Sequence, residues 1–503
     1  MSESRFKKVR TRIAPSPTGN LHLGTVRTAL YNLLFARYHG GDFLFRLEDT
    51  DKERSKEEFT NEILDGFKWL NISWDDPSSE DAPEGAEMTG LSEGHIVKQS
   101  VREAIHKKYI TKLLSEGKAY KCFASKEELD EMRAKQQANK EIPRYDNRSR
   151  NLSEADQAKF ESEGKPFVVR LNLGADRDIL WNDLIRGEMS INTKDLGGDP
   201  VIQKSSGQVL YNFAVVVDDF AMQISHIFRG EDHLSNTAKQ IAIYEALGFS
   251  VPEFGHLPLI FTKDKQKLSK RKHGDIASVD TYKKQGYLPE ALVNYLVGTS
   301  YNDEELGELF SIEEAADEFD IEAVSKSPAI YDIKKLNWYN REYISKLDYA
   351  DILNNCAEFS KFSLKTTDKY SQDQIEAMLK GIQDSLDKFD EVDIHIDYFF
   401  EDFSVVEDKI LKTLEDGKII VEKLLILIDA DGINFADPVS FKNALNSVGK
   451  ILELNGKKLF MPARIAISGK TSGPDIGLIA HLLGEEKIKE RLKKIQDKLT
   501  NTV

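Results

Sequence analysis

The sequence predicts an α/β, Rossmann-like domain that carries an α+β insertion and is followed by an all-helical C-terminal half. Three observations lead to this fold class. Strand and helix patterns alternate over the first hundred residues, the alternation resumes near Tyr211, and strand signals are scarce after about residue 330. Such alternation is typical of a parallel sheet with helices on its faces.

The first part of the α/β domain is predicted from hydrophobic spacing. Apolar residues recur every three to four positions in the two helices, and Gly40 ends the first of them. A stretch rich in proline, glycine and acidic residues then predicts a surface loop. In chain order, the predicted elements are a strand at 12–14, a helix at 25–38, a strand at 43–47, a helix at 55–70 and the loop at 75–95.

An inserted module and the second α/β part follow. The insertion covers 96–205, with helices near 96–116 and 125–138 and strands at 166–173 and 188–192. The second part is predicted to contain strands at 214–217, 223–228 and 257–261 and a helix at 235–247. The apolar run 214–217 is interpreted as a buried strand that ends at Asp218 and Asp219.

Composition and charge limit the class of protein. Of the 503 residues, 40% are hydrophobic and 31% charged, which favours a folded protein. No apolar run reaches the roughly 18 residues that span a bilayer, and no secretory leader is predicted at the start. Two cysteines, Cys122 and Cys356, are too few for a disulfide framework, so the cytoplasm is the expected compartment.

The net charge of −16 argues against a polyanionic partner unless cations cluster locally. Binding to nucleic acid depends on local neutralisation of phosphates, so a basic patch within an acidic chain is sufficient. One such cluster comprises Lys263, Lys265, Lys267, Lys270, Arg271 and Lys272.

The first chemical motif lies at the junction of the first strand and helix, in residues 15–25. The free N–H groups and the dipole of a helix N-terminus favour an anion, and Gly24 allows a ligand close to the backbone. His22 offers a hydrogen bond to a phosphate or a base. The segment therefore indicates a nucleotide phosphate site, or else an ordinary turn in which Thr25 caps the helix.

The second motif is the basic segment 267–271. Lys267 and Lys270, three residues apart in a loop, could close over a triphosphate and neutralise the leaving pyrophosphate. The alternative is a solvated basic loop, which is a common feature of protein surfaces.

Taken together, the two motifs resemble the two signature motifs of class I aminoacyl-tRNA synthetases, and their residues are similar to those of the glutamate type. Four further blocks in the same order support the resemblance, which covers nearly the whole chain. The six blocks lie at residues 12–19, 22–25, 46–51, 211–219, 229–234 and 267–271. Segments 142–146, 335–338 and 460–464 resemble the acceptor-binding insertion, the entry to the anticodon-binding part and the C-terminal helical domain of that family.

The resemblance implies an activity and its partners. ATP, with Mg²⁺, would activate L-glutamate to glutamyl-adenylate, and the glutamyl group would pass to the 3′ end of tRNA(Glu) with release of AMP and pyrophosphate. A monomer is expected, and the sequence leaves open whether tRNA(Gln) is a second substrate. The implied division is 1–95 and 206–262 for the two catalytic halves, 96–205 for the acceptor-binding insertion, 263–335 for the lysine loop and stem-contact domain, and 336–395 and 396–503 for two anticodon-binding subdomains.

Site residues follow from the same resemblance. The expected ATP contacts are His22, Gly24, Thr25, Lys267, Ser269 and Lys270. Of these, His22, Lys267 and Lys270 are the expected catalytic residues. The expected glutamate contacts are Arg12, Ser16, Glu48, Tyr211 and Arg229.

The glutamate contacts also make chemical sense. Arg12 and Arg229 would bind the side-chain carboxylate of glutamate, because a guanidinium pairs with a carboxylate in a bidentate manner. Glu48 would face the ammonium group of the substrate. The alternatives are a surface salt bridge for each arginine, and a cap or a pair with Arg54 for Glu48.

The chain departs from the family pattern at a zinc site that some members carry. The expected pair of cysteines is reduced to Cys122, and a four-ligand site cannot be built from the residues around it. We therefore predict that no zinc is bound and that Cys122 is a small core residue. Lys272 also lengthens the basic loop by one residue.

Four alternative functions remain to be compared. A truncated paralogue that modifies a tRNA base would lack the long C-terminal part, and a glutamine-type enzyme would carry β-barrel anticodon domains. A non-catalytic tRNA-binding scaffold would be expected to lose the chemistry residues. A small-molecule nucleotidyltransferase would have no use for the insertion or the helical tail.

Overall fold

The computed structural model describes residues 7–51, 53–77, 91–92, 94–301, 306–402 and 408–501. The chain divides into two compact units: Met1–Thr281 with Leu292–Asp332, and Tyr282–Ala291 with Ile333–Val503. Within the described ranges, we find no helix that is both long and apolar enough to cross a membrane. The predicted loop at 75–95 falls for the most part outside these ranges.

The first unit is built on two mixed sheets. In the first, β1, β2 and β4 run parallel and β3 is antiparallel to β4; in the second, β10, β11 and β7 run parallel and β8 is antiparallel to β7. Smaller sheets pair β6 with β5 and β9, and β12 with β13. The strands are β1 Arg10–Ile13, β2 Asp42–Leu47, β3 Leu91–Ser92, β4 Ile96–Lys98, β5 Ala119–Cys122, β6 Val168–Leu171, β7 Asp178–Asp183, β8 Gly187–Asn192, β9 Val201–Gln203, β10 His226–Gly230, β11 Glu253–Leu257, β12 Ile260–Phe261 and β13 Ala329–Ile330.

Helices cover these sheets, and α1 is the most central of them. It contacts β1, β2 and β10, and most of its side chains are buried. The helices up to the end of the first unit are α1 Leu23–Tyr38, α2 Glu57–Trp69, α3 Glu103–Ser115, α4 Lys126–Ala138, α5 Glu154–Ser162, α6 Tyr211–Ala221, α7 Leu234–Leu247, α8 Lys270–His273, α9 Val279–Lys284, α10 Pro289–Gly298 and α11 Ile312–Asp317.

The described part of the second unit is helical, which confirms the predicted fold class. Its core forms where α17 and α19 pack against α20, and α20 is kinked at Gly484. The helices are α12 Ile333–Ser345, α13 Tyr349–Phe359, α14 Gln372–Ile382, α15 Val392–Phe400, α16 Asp408–Asp416, α17 Lys418–Asp429, α18 Ser440–Leu452, α19 Gly456–Ser468 and α20 Ile476–Asn501.

The predicted strand at 214–217 is wrong, because these residues lie in the middle of α6. The helix is buried almost all round, including the side chains of Asp218 and Asp219. A helix without a solvent-facing side has no polar stripe, so its sequence is a continuous apolar run like that of a buried strand. Helical geometry has a functional consequence, since it turns the two carboxylates toward different neighbours.

Other boundaries differ in smaller ways. The first residues of the predicted helix at 96–116 form β4, and the observed helix α3 starts only at Glu103. The predicted strand at 257–261 is two shorter strands, of which the main one, β11, ends at Leu257. The hairpin of β7 and β8 lies inside the predicted insertion but extends the sheet of β10 and β11. The division into six domains stays a prediction.

Gly248 ends α7 in the left-handed conformation, with φ of 73°, and has no neighbour that a Cβ would meet. Gly248→Ala is therefore expected to lower the free energy of unfolding by about 1–2 kcal/mol through backbone strain alone. Gly248→Asn should cost less, because asparagine tolerates this conformation. Thermal unfolding of the three proteins checks the order; equal melting temperatures for glycine and alanine would contradict it.

Candidate active site

A cavity of about 460 Å³ lies at the carboxyl ends of β1, β2 and β10, against the start of α1. Ligands bind at this edge in open α/β sheets. Every predicted site residue except Lys270 lines the cavity: Arg12, Ser16, His22, Gly24, Thr25, Glu48, Tyr211, Arg229, Lys267 and Ser269. The backbone of Lys270 begins α8, but its side chain lies outside the described part of the chain.

The N-terminus of α1 is capped by His22, not by Thr25. The ring Nδ1 of His22 accepts a hydrogen bond from the backbone N–H of Gly24 at 2.9 Å. The N–H of Thr25 instead bonds to the carbonyl of His22. A Cβ at Gly24 would lie 3.2 Å from His22 Nδ1, so the absence of a side chain keeps this turn tight. The cap orients the His22 ring at the wall of the cavity.

Arg12 is buried and anchored. Its Nε and Nη2 donate to the two carboxylate oxygens of Asp219 at 3.1 and 3.4 Å. Arg46, which is fully buried, also donates to Asp219 at 2.5 Å and pairs with Glu48 at 3.2 Å. Arg12 is therefore not a surface salt bridge. Sequence reasoning missed Asp219 and Arg46, although both lie in motif blocks.

Arg229 is also buried, with 5% of its surface exposed, but none of the described residues supplies it with an acidic partner. Its Nη2 donates to the Thr237 hydroxyl at 2.7 Å and its Nε to His256 Nε2 at 3.4 Å. Its Nη1 is buried without a hydrogen-bond partner. Among the described residues, no carboxylate lies within ion-pair distance of this guanidinium. Burial lowers the pKa of Arg229, yet an arginine stays charged in proteins.

Glu48 and Tyr211 form the polar wall near the two arginines. Burial raises the pKa of the Glu48 carboxyl, although Arg46 and Arg12 oppose the rise. Burial, and next the charge of Glu48, raises the pKa of Tyr211 to about 12, so its phenol keeps its proton at neutral pH. The alternative in which Glu48 pairs with Arg54 is wrong, because Arg54 pairs with Asp51.

Lys267 reaches the cavity from the basic loop. Its ammonium group contacts Asp232 at 2.8 Å, and both side chains are nearly half exposed. Burial alone would raise the pKa of Asp232, but the hydrogen bond from Lys267 holds it below its ordinary value. Ser269 lies at the cavity wall, and its backbone N–H donates to the His273 ring at 3.2 Å. The loop thus brings a cation to the cavity wall.

Cys122 is a buried core residue, as predicted. Its Sγ lies 3.1 Å from the hydroxyl of Tyr145, and the guanidinium of Arg170 stacks on the Tyr145 ring at 3.7 Å. The prediction that no zinc is bound stays a prediction.

His22 caps α1 and lines the cavity, and two substitutions separate the cap from the ATP contact that the sequence predicts. His22→Asn can still cap α1, so we expect wild-type stability together with a loss of about 10- to 150-fold in the rate of the predicted adenylate formation. His22→Ala should show the same loss of rate and should also lower the free energy of unfolding by about 1 kcal/mol. Single-turnover kinetics and thermal unfolding check this. A fully active asparagine variant would limit His22 to capping.

The parallel strands β1, β2 and β10, the N-terminus of α1 and the basic loop surround one cavity, an arrangement that resembles the catalytic site of class I aminoacyl-tRNA synthetases. Residues 8–338 match the family described as tRNA synthetases class I (E and Q), catalytic domain, and residues 348–496 match an anticodon binding domain. The chain belongs to the glutamate–tRNA ligase family within this class.

Relatives along the whole chain support this assignment. The glutamate–tRNA ligase of Natranaerobius thermophilus is 41% identical and covers 96% of this chain and 98% of its own. That of Bacillus subtilis is 39% identical, over 97% and 99%. The crystal structure of a glutamate tRNA ligase from Elizabethkingia meningosepticum in complex with its amino acid superposes with a TM-score of 0.82 at 30% identity, over 98% of this chain and 100% of that one.

Proposed function

We propose that the protein activates L-glutamate with ATP and transfers the glutamyl group to the 3′ end of tRNA(Glu), with release of AMP and pyrophosphate. The observation that carries the glutamate assignment is the buried Nη1 of Arg229, a residue of the cavity wall, which has no hydrogen-bond partner in the part of the chain that the structure describes. A buried cation without a counter-ion is costly, and a substrate carboxylate supplies the missing charge.

Glutamate fits the charge pattern of this end of the cavity. Arg229 and Arg12 take the side-chain carboxylate, Glu48 takes the ammonium group, and the Tyr211 phenol and Ser16 add hydrogen bonds. Glutamine has the same shape, but its neutral amide would leave Arg229 without a counter-charge. Sites that bury polar groups reject an analogue that leaves those groups unpaired.

ATP occupies the other end in this proposal. The N-terminus of α1, with His22, Gly24 and Thr25, offers N–H groups to its phosphates. Lys267, Ser269 and Lys270 come from the basic loop. Mg²⁺ would accompany the phosphates, since it is commonly bound through nucleotide oxygens rather than through a cage of protein ligands.

The reaction needs orientation and charge stabilisation rather than a protein nucleophile. An oxygen of the glutamate α-carboxylate attacks the α-phosphorus, a new P–O bond forms, and the bond to pyrophosphate breaks. Lys267 and Lys270 stabilise the charge on the leaving pyrophosphate. The terminal 2′-hydroxyl of the tRNA then attacks the acyl carbon, and AMP leaves.

The helical second unit serves tRNA binding in this proposal, since an anticodon binding domain covers most of it. The presence of this domain disfavours the truncated paralogue. The all-helical fold of the described part of the second unit disfavours a glutamine-type enzyme. We also propose that tRNA gates glutamate activation. The monomeric state and the cytoplasmic location stay predictions, and whether tRNA(Gln) is a second substrate stays open.

Glutamate-dependent ATP–pyrophosphate exchange, with and without added tRNA(Glu), tests the function. We expect exchange only in the presence of that tRNA. Exchange without any tRNA would favour the chemistry of the truncated paralogue. A complete lack of exchange with folded protein would remove the catalytic assignment and favour a tRNA-binding scaffold.

A further inference from the structure

A chain of fully buried side chains leads away from Arg229 into the second sheet. Asp183 ends β7, His256 lies in the neighbouring β11, and Thr237 lies in α7. At most 1% of the surface of each of these three side chains is exposed. None of the three lines the cavity. Apart from backbone groups, their polar atoms contact one another and Arg229.

Asp183 uses its two oxygens for different purposes. Oδ1 accepts three backbone hydrogen bonds, from the N–H groups of Ile185, Arg186 and His256 at 3.0–3.1 Å. Oδ2 contacts the ring Nδ1 of His256. Burial alone would raise the pKa of Asp183, but the hydrogen bond from His256 is the main influence that holds it below its ordinary value. The carboxylate is therefore ionised, and Nδ1 of His256 carries a proton.

The second ring nitrogen of His256 faces the Nε–H of Arg229 and the hydroxyl of Thr237, which also lies 3.2 Å from the carbonyl oxygen of His233. Burial is the main influence that lowers the pKa of His256, and the charge of Arg229 adds to it. With its proton on Nδ1, the neutral ring presents a lone pair at Nε2. That nitrogen accepts from Arg229 Nε at 3.4 Å and lies 2.8 Å from the Thr237 hydroxyl. The hydroxyl in turn accepts from Arg229 Nη2 at 2.7 Å.

These contacts constrain the guanidinium at two of its three nitrogens. Its Cζ also lies 5.3 Å from the centre of the Phe254 ring. Within the described ranges, only Nη1 is left without a hydrogen-bond partner, and Arg229 forms part of the cavity wall. A guanidinium pairs well with a carboxylate only when its orientation is restricted, and here the restriction comes from residues that substrate does not touch.

We propose that Asp183, His256 and Thr237 form a buried relay that orients Arg229 toward the side-chain carboxylate of glutamate, so that all three are positioning residues for substrate selection. This inference rests on the proposed function. Beyond that function, it implies that the affinity for glutamate depends on which ring nitrogen of His256 carries the proton.

Asp183→Asn is a sharp test, because the two oxygens of Asp183 have separate partners. The three backbone donors hold the amide oxygen at the Oδ1 position, so the amide NH₂ faces Nδ1 of His256. The His256 ring must then carry its proton on Nε2. The Nε2–H of His256 and the Nε–H of Arg229 would then face each other as two donors, and their hydrogen bond would be lost. A buried asparagine in place of this kind of aspartate forces the wrong tautomer in a comparable way in serine proteases.

We expect Asp183→Asn to raise the KM for glutamate by about tenfold or more and to reduce the preference for glutamate over glutamine, with little change in the KM for ATP. The assay is ATP–pyrophosphate exchange with saturating tRNA(Glu). Asp199→Asn is the matched control: Asp199 is equally buried, but it pairs with Arg150 and Tyr120. It should leave the KM for glutamate unchanged.

A second pair of variants keeps the test independent of folding at Asp183. Thr237→Val removes the hydroxyl at nearly constant shape and should also raise the KM for glutamate. Thr237→Ser keeps the hydroxyl and should have the KM of the wild type. If the wild type catalyses exchange but Asp183→Asn and Thr237→Val keep its KM for glutamate, the relay is wrong. If Asp183→Asn does not fold, the Thr237 pair decides alone. A wild type without exchange would instead overturn the proposed function.

Discussion

Replacing Arg229 by methionine is expected to lower kcat/KM for glutamate by about 30- to 5000-fold, which corresponds to the roughly 2–5 kcal/mol lost when one partner of a buried charge pair is removed. Most of the loss should appear in the KM for glutamate, because the arginine is proposed to bind the substrate side chain before and during the reaction. The discrimination against glutamine should fall with it, since the charge that distinguishes the two side chains is gone.

The same substitution should not destabilise the fold. Arg229 is buried with one nitrogen unpaired and without an acidic partner among the described residues, so its desolvation is only partly offset. We therefore expect the Arg229→Met protein to melt at or above the wild-type temperature. Arg10→Met is the control: Arg10 is equally buried on β1, but it pairs with Asp42 and does not line the cavity. An Arg229→Met protein with the glutamate KM of the wild type would contradict the assignment.

Replacing Lys267 by methionine is expected to slow adenylate formation by about 10²- to 10³-fold, the usual effect of removing one donor that stabilises charge in a transition state. Binding of glutamate should change little, because Lys267 lies at the nucleotide end. The ion pair with Asp232 is half exposed, so its loss should cost less than about 1 kcal/mol of stability.

Lys263→Met is the matched control for this loop. Lys263 belongs to the same basic cluster, but it pairs with Asp332 at 3.0 Å and does not line the cavity. Single-turnover measurement of adenylate separates the two lysines, since only Lys267 should change the rate. Equal rates for both variants would mean that the basic segment acts as a solvated loop, the alternative that the sequence left open.

Much of the fold could be predicted because local patterns determine it. The spacing of apolar residues located α1, α2, α4 and α7 within about two residues of their observed bounds. The failure at α6 has a physical origin: a helix that is buried on all sides loses the amphipathic signal that distinguishes it from a strand. The error also misplaced Asp218 and Asp219, which are buried partners of other elements rather than strand-end residues.

The residues of the cavity wall were predicted better than the residues behind it. Motif blocks named the residues that line the cavity, because those side chains belong to short, recognisable segments. Their partners come from distant parts of the chain: Arg46 and Asp219 are 173 residues apart, and Asp183 and His256 are 73 apart. Such pairs have no local spacing that a single sequence displays.

The fold class, the family and the residues that line the cavity could be predicted from the sequence, because hydrophobic periodicity and short motifs are local properties of the chain. How those residues are charged and oriented depends on the tertiary structure. Arg12 pairs with Asp219, whereas Arg229 has no carboxylate partner among the described residues and is contacted by His256. These differences arise from burial and from contacts across sheets, which are properties of the folded arrangement and not of any segment alone.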